Sequence, residues 1–215
     1  MAMLIKDVMT WNVVTVPSSM PVLEARKIMD AHGFNRLPVV DRGKLVGVLS
    51  RHRVDSASPS PATSLSVWEI NYLLAKILVK DVMVKDVVTV SPNDTVERGV
   101  QIAQTRRVGS LIVIEDGRVV GIMTTNDVFY RILNKVLGIN EPGVRFEVSN
   151  CADPKKVADI MGVLAKYKSK IVTLYSIPPA EGEAHNLIVH IDAADAAPVI
   201  EDIKALGYKV EWVER

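Results

Sequence analysis

Hydrophobic and polar positions along this chain follow one pattern twice. β-Branched residues gather at Val13–Val16, and apolar positions then recur at helical spacing through Val22, Ala25, Ile28 and Met29 as far as Gly33. Ser18 or Ser19 is placed to cap that helix, and Pro21 suits its first turn. Two more apolar runs, Leu37–Val40 and Leu45–Leu49, flank Asp41-Arg42-Gly43-Lys44, a hairpin signal. The same succession returns as a strand at Val87–Val90, a helix from Thr95 to about Thr105, and runs at Leu111–Ile114 and Val119–Met123 around Glu115-Asp116-Gly117. A closing helix is expected from near Asn126 through Phe129, Ile132, Leu133 and Val136 to Gly138.

The recurrence has a constant offset of 74 residues. Lys6-Asp7-Val8-Met9 returns as Lys80-Asp81-Val82-Met83, Gly43 and Gly47 return as Gly117 and Gly121, and residues 5–54 set against 79–128 without a gap share 16 identities in 50. A fixed offset of this kind means one structural unit used twice. Two such units pack together, and the seam between them is a natural ligand site.

Between the copies, Ser56-Ala57-Ser58-Pro59-Ser60-Pro61 reads as an exposed loop. Trp68 to Leu78 reads as an amphipathic helix whose apolar face (Trp68, Ile70, Leu73, Leu74, Ile77) packs the copies together. After Asn140-Glu141-Pro142-Gly143 the period changes. A strand at Arg145–Val148 leads to a helix capped by Asp153 with Pro154 first, its apolar stripe made by Val157, Ile160, Met161, Leu164 and Tyr167. A strand at Lys170–Ile177, a turn at Pro178–Gly182, a strand at Leu187–Ile191, a helix at Ala196–Leu206 closed by Gly207 and a strand at Tyr208–Val213 complete a βαββαβ order. The expected organisation is repeat one at 1–56, a linker and helix at 57–78, repeat two at 79–138 and a ferredoxin-like domain at 144–215. The fold class is α/β (α+β), with the repeats packed as a pseudo-twofold pair. The open sheet edge of the last domain invites pairing between chains.

Composition narrows the function classes. The 215 residues are 48% hydrophobic and 24% charged, as in an ordinary globular protein, and a formal net charge of +1 gives no electrostatic case for nucleic acid. The one cysteine, Cys151, excludes an internal disulfide framework and suits a reducing compartment. No run has the length of a signal peptide core or a membrane span, so a cytoplasmic protein is expected. His32, His52, His185 and His190 have no metal-ligand spacing, and no HExxH, CxxC or phosphate-loop motif occurs. Neither a metal nor a stand-alone catalytic activity is expected.

The repeated unit resembles a CBS domain, and the pair resembles a CBS tandem, or Bateman module. In the second copy the resemblance rests on Val79-Lys80-Asp81-Val82-Met83, Val88-Thr89-Val90 and Gly121-Ile122-Met123-Thr124-Thr125-Asn126-Asp127-Val128. In the first it rests on Ile5-Lys6-Asp7-Val8-Met9-Thr10, Arg36-Leu37-Pro38-Val39-Val40-Asp41 and Gly47-Val48-Leu49-Ser50. The tail resembles an ACT domain, and the order CBS–CBS–ACT resembles the acetoin-utilisation CBS–ACT proteins of bacteria. The ACT loop that commonly carries a glycine is here Ser149-Asn150-Cys151-Ala152-Asp153-Pro154, without one. Pairing with a second copy, not amino-acid sensing, is therefore the job expected of the tail, and Cys151 is expected to be inert.

The resemblance implies an adenine nucleotide bound through the pattern Gly-x-x-Ser/Thr-x-x-Asp, complete here as Gly121, Thr124 and Asp127. A carboxylate at a helix start can accept from two vicinal ribose hydroxyls, and a hydroxyl three residues earlier can donate to phosphate. Thr124, Asn126 and Asp127 are equally good helix-capping residues, and the two roles are compatible. The first copy has Arg53 where the carboxylate belongs, and arginine has no acceptor for a hydroxyl. Its Ser50, Arg51, His52 and Arg53 are candidate phosphate contacts instead. The family further implies a base held by Met83, Val84, Asp86 and Val88 with Ile112 as a wall, and Arg36 reaching across the cleft to a phosphate; Arg106 and Arg107 read as a helix end. The expected function is a regulatory protein sensing AMP, ADP or ATP, with S-adenosylmethionine and NAD sharing the adenosyl group. It is expected to work as a homodimer on a partner enzyme in acetoin or central carbon metabolism. The alternative is a ligand-free interaction scaffold, which the loss of the carboxylate at position 53 favours.

Overall fold

The computed structural model describes residues 3–57, 66, 68, 69, 72, 76–151, 153–177 and 185–212. The chain divides into two units, Met1–Val128 and Phe129–Arg215. In the first, the elements run β1 (Thr10–Trp11), α1 (Val22–His32), β2 (Arg36–Asp41), β3 (Lys44–Ser50), α2 (Arg51–Ser56), α3 (Val79–Val82), β4 (Thr89–Val90), α4 (Val96–Thr105), β5 (Ser110–Glu115), β6 (Arg118–Thr124) and α5 (Thr125–Asp127).

Each copy contributes one antiparallel hairpin, β2 with β3 and β5 with β6. The residues at positive φ are Arg42 and Gly43 in one turn, Asp116 and Gly117 in the other, as a tight two-residue hairpin requires. The copy's own preceding segment lies parallel along one edge, Val16 beside Val39 and β4 beside β5. These segments are shorter than the runs Val13–Val16 and Val87–Val90 suggest: the second forms only Thr89–Val90, and the first makes a single bridge.

The other edge is filled by exchange. β1, from the first copy, pairs with β6 of the second, Thr10 opposite Ile122 and Trp11 opposite Gly121. Reciprocally, Val84 bridges Val48 of the first copy through two backbone hydrogen bonds of 2.9 Å. The exchange needs the two repeated glycines. A Cβ at Gly121 would lie 2.7 Å from Met9 Sδ and 2.8 Å from the Thr10 carbonyl oxygen; one at Gly47 would lie 2.5 Å from Met83 Sδ and 3.0 Å from the Val84 carbonyl oxygen. The methionines of the repeated Lys-Asp-Val-Met motif thus pack on glycines of the opposite copy. The motif's aspartates fix its turn: Asp7 and Asp81 accept from the backbone N–H of Leu4 (2.9 Å) and Leu78 (3.0 Å).

The same crossing supplies helix starts. Val22 N–H donates to Ile77 O and Val96 N–H to Met3 O, each 2.9 Å or shorter. Helix α1 accordingly begins at Val22 with Pro21 before it and no side-chain cap. Ser18 does not cap; its N–H donates to Asp41 Oδ1, and those hydrogen bonds hold the Asp41 carboxyl below its ordinary range. Helix α4 is capped by Thr95, which accepts from Arg98 N–H, at the expected start of the helix. The first-copy core of Val22, Ala25, Met29, Leu37, Val39 and Leu49 also contains Val79 from the second opening. Of the helix expected at Trp68–Leu78, Ile70, Leu73 and Leu74 lie outside the described residues. Trp68 is 84% exposed, so it does not pack the copies together, whereas Ile77 packs on the first-copy core. Residues 58–61 of the expected loop are also outside the description.

The helix that starts at Thr125 passes through a π turn, Val128–Leu133, into α6 (Asn134–Leu137), which ends at Gly138 in the left-handed region. The second unit continues with β7 (Val144–Val148), α7 (Pro154–Lys166), β8 (Lys170–Ile177), β9 (Asn186–Asp192), α8 (Ala197–Ala205) and β10 (Val210–Trp212). Its antiparallel sheet has the order β10-β7-β9-β8, the split βαββαβ arrangement, with β8 and β10 at the edges. Pro178–Gly182, Ala152 and Val213 lie outside the described residues. Phe146, Val189 and Ile191 of the sheet pack on Ile160, Leu164, Val199 and Ile203 of the two helices. Tyr208 Oη donates to Asp159 Oδ2 at 2.7 Å, which pushes its pKa up to about 12. No helix among the described residues is long and apolar enough to cross a membrane.

Glycine substitutions test the exchange. Gly121→Ala forces Met9 and the Thr10 backbone apart and is expected to destabilise by about 1–3 kcal/mol, the usual cost of overpacking. Gly162→Ala, a helical position with nothing within 4 Å of the added methyl, is expected to stabilise by up to about 1 kcal/mol. Denaturant unfolding checks both; a neutral Gly121→Ala would show that the close seat is not needed.

Candidate functional site

The exchange brings the second copy's Gly121–Asp127 segment against the first copy's opening. Between them lies a cavity of about 460 Å³. Its walls come from Thr10–Val14 and Gly33–Arg36 of the first copy and from Ile122 and Thr124–Asp127 of the second.

Asp127 is the buried carboxylate of the cavity, 7% exposed. Its Oδ2 accepts from Thr124 N–H at 2.8 Å and from Thr124 Oγ1 at 2.7 Å, while Thr124 Oγ1 accepts from Asp127 N–H at 3.4 Å. This is a reciprocal capping box, so the helix-cap reading of these residues holds. The other oxygen, Oδ1, lies 3.5 Å from Thr10 Oγ1 across the seam. Burial of a carboxylate is costly without such partners. The Thr124 hydroxyl hydrogen is directed at Asp127, and Thr125 Oγ1 donates to Gly109 O at 3.3 Å, so neither hydroxyl presents its proton to the cavity in this conformation.

Arg36 lines the same cavity and crosses to the other copy. A Cβ at Gly109 would lie 2.6 Å from its Nη2 and 3.5 Å from Thr125 Oγ1, so the guanidinium rests on Gly109 beside the helix start. Gly121 lies behind the cavity as the seat for Met9.

The proposed base-holding residues are elsewhere. Met83 packs on Gly47, Val84 pairs with Val48, and Asp86 is 84% exposed and pairs with Arg106 at 2.7 Å. The Val88 carbonyl accepts from Ile112 N–H at 3.1 Å, and Ile112 is buried in the sheet. None of the five lines the cavity that holds Asp127. The reason is the exchange, which puts each opening segment against the other copy's closing segment. Shifted back by 74 residues, Val84, Asp86, Val88 and Ile112 become Thr10, Asn12, Val14 and Pro38, and all four line the cavity. Asn12 does so at φ 51°, a conformation asparagine tolerates well. The repeat itself was the signal for these residues; what it lacks is any mark of the crossing.

The first-copy cluster also separates. Ser50 caps α2, accepting from Arg53 N–H at 3.3 Å. Arg51 is not available as a phosphate contact: it donates to Asn35 Oδ1 (3.3 Å), Phe34 O (3.2 Å) and Asp30 Oδ1 (2.5 Å), bracing the Phe34–Asn35 wall of the cavity from behind. His52 and Arg53 are exposed. In the second unit Cys151 is buried, which pushes its thiol pKa up and suits an inert side chain. Among the described residues no group of three or more His, Cys, Asp and Glu is placed to hold a metal ion.

The sequence profile of the CBS domain family matches residues 5–59 and 79–134, more than half of the chain. The inosine-5′-monophosphate dehydrogenase of Korarchaeum cryptofilum is 33% identical over 163 residues, 75% of this chain and 31% of that protein. The L-aspartate semialdehyde sulfurtransferase of Methanocaldococcus jannaschii is 30% identical over 129 residues, 58% of this chain and 22% of that protein. The chain thus spans less than a third of either enzyme, and these partial matches do not make it an enzyme. Among solved structures, the CBS domain pair of protein MJ0100, in complex with 5′-methylthioadenosine and S-adenosyl-L-methionine, superposes with a TM-score of 0.52 at 27% identity, covering 63% of this chain and 99% of that one. A candidate acetoin utilization protein (AcuB) from Vibrio cholerae gives a TM-score of 0.53 at 24% identity, over 66% of this chain and all of that one, and shows the shared fold. The chain belongs to the CBS domain family.

The bracing role of Arg51 is testable. Arg51→Ala is expected to lower unfolding stability by about 1 kcal/mol, a partly exposed charged hydrogen-bond set. Asp30→Ala in the same background should add less than it does alone. Full additivity in the double-mutant cycle would show that the pair does not interact.

Proposed function

From membership of the CBS family, we propose that this chain is a regulatory module whose cavity at the seam of the repeats binds an adenosyl ligand. The carrying observation is the buried Asp127 carboxylate. One oxygen secures the helix start; the other lies on the cavity side, where vicinal ribose hydroxyls would replace the long contact to Thr10. Arg36 supplies positive charge for a 5′ anion, and Thr10, Asn12, Val14 and Pro38 form the walls for a flat base, few polar groups among apolar ones. A relative's CBS pair holds adenosyl compounds, which supports the same class of ligand here. The first copy's equivalent position, with Arg53, is not assigned a nucleoside.

In this reading ligand binding biases the packing of the two copies, by no more than the difference in affinity for the two arrangements. The second unit acts as an ACT-like pairing domain in a cytoplasmic homodimer. Strand β8 is a sheet edge with Ile171 and Leu174 exposed (41% and 37%), the kind of edge that a second chain covers. The regulated partner is an enzyme, and the link to acetoin or central carbon metabolism rests on architecture. The second reading, a ligand-free scaffold, draws on the capping box, which gives Asp127 a structural reason to be there.

Asp127→Asn separates the two. The amide oxygen can still accept from Thr124 N–H, so the unliganded melting curve should move little. Loss of charged hydrogen bonds worth roughly 1.5–3 kcal/mol each should weaken AMP binding at least about tenfold in titration calorimetry. Unchanged affinity would sink the ribose assignment. A melting screen of the unmodified protein with AMP, ADP, ATP, NAD and S-adenosylmethionine should show a gain of roughly 2.7 kcal/mol at about 100 times the dissociation constant; no shift with any of them favours the scaffold.

A further inference from the structure

The charge of the cavity selects within the adenosyl class. Of the described residues that line it, Arg36 is the only cation and Asp127 the only anion, so their formal charges cancel. With Asp127 given to ribose, Arg36 is the charged donor left for the 5′ end, beside the neutral amides of Asn12, Asn35 and Asn126. Its forked donors match the oxygens of one phosphate. The neighbouring hydroxyls are turned away, Thr124 to Asp127 and Thr125 to Gly109 O.

Beyond Arg36 the surroundings become apolar. A second cavity, of about 390 Å³, shares Thr124 and Thr125 with the first and is otherwise lined mainly by apolar residues such as Val100, Val108, Leu111 and Met123, with Gln104 and Ser110 as neutral polar groups. Arg107 is the single cation among its described lining residues. A monophosphate carries close to −2, and each further phosphate adds at least another full charge. A di- or triphosphate would therefore either leave the cavity for water or desolvate its charge against aliphatic side chains, with at most one more cation to meet it.

We propose that the cavity is built for a nucleoside bearing a single phosphate and discriminates against polyphosphates, with Arg36 as the specificity-determining residue and Gly109 as the position that lets it cross. The inference rests on the adenosyl reading above and goes further by fixing the 5′ group. Gly109 gives a clean handle. It lies outside the left-handed region, and an added methyl meets the far end of the Arg36 side chain, which can swing away. Gly109→Ala should therefore displace the guanidinium without disturbing Asp127 or the fold.

The test is calorimetric titration of the full chain with adenosine, AMP, ADP and ATP, with and without Mg²⁺, at fixed ionic strength. AMP is expected to bind about tenfold more tightly than ATP and more tightly than adenosine, since one charge-assisted contact is worth about that factor. Arg36→Ala should erase the advantage of AMP over adenosine, Gly109→Ala should reduce it, and Arg107→Ala should leave it intact. ATP binding as tightly as AMP, or Arg107→Ala removing the phosphate preference, overturns the inference while the adenosyl reading stands. Adenosine binding as well as AMP does the same. If none of the four ligands binds, the adenosyl reading itself fails and this inference falls with it.

Discussion

The first unit depends on two glycines that accept methionines from the opposite copy. Met9 on Gly121 and Met83 on Gly47 allow backbones to approach to a distance at which any Cβ would collide, and that approach completes the edges of both hairpins. The crossing segments then do three jobs. They add strands, they supply the carbonyls that start α1 and α4, and they place Val79 in the first copy's core and Ile5 against Gly99 of the second. A copy separated from its sibling would leave a hairpin edge, a helix start and a core position open together. The duplication is thus one folding unit with two halves, and any cavity at its seam is composite by construction.

This explains which parts of the structure were legible in the sequence. Both hairpins, with their glycine turns, follow from local alternation and turn chemistry, and so do α1, α4 and the βαββαβ order of the second unit. The pattern Gly121, Thr124, Asp127 was also legible, because it stands in one short segment, whereas the crossing of Arg36 was implied by the family resemblance. What could not be read was which opening faces which closing segment, since the two copies carry the same motif and either pairing satisfies the pattern. The residues named for the base lie away from the cavity that holds Asp127, and the counterparts of four of them, one repeat back, line it. Ser18 and Arg51 were misread for a related reason. Each looked like a local cap or a free cation, but its partner comes from a more distant part of the chain: Asp41 for Ser18, and Asp30, Phe34 and Asn35 for Arg51.

The copies share a framework and differ in charge where it matters chemically. At Asp127 the first copy has Arg53, and at Asn12 the second has Asp86. Both changes reverse or add charge at corresponding positions. Asp86 has turned to Arg106 on the surface, and Arg53 is exposed. A carboxylate that must bind hydroxyls while buried needs fixed partners. The second copy provides them through Thr124, and the first, with an arginine, has no group to fix in that way. The two copies thus differ in charge at two corresponding positions of one shared framework.

The double use of Asp127 has an energetic consequence. A carboxylate held only for a ligand would be disordered or repelled from its site before binding, and ordering it would subtract from affinity. Here the capping box already fixes its rotamer, and the cost of burying it is offset by hydrogen bonds that the fold needs anyway. In the proposed function the cap and the ligand contact are compatible: Oδ2 secures the helix start while Oδ1 lies 3.5 Å from Thr10 Oγ1 across the seam. Arg36 is arranged by the same logic, its guanidinium laid on a residue with no side chain. In both cases the position of a charged group is set by contacts within the fold, the arrangement that would let a bound ligand be met with little rearrangement under the proposed function.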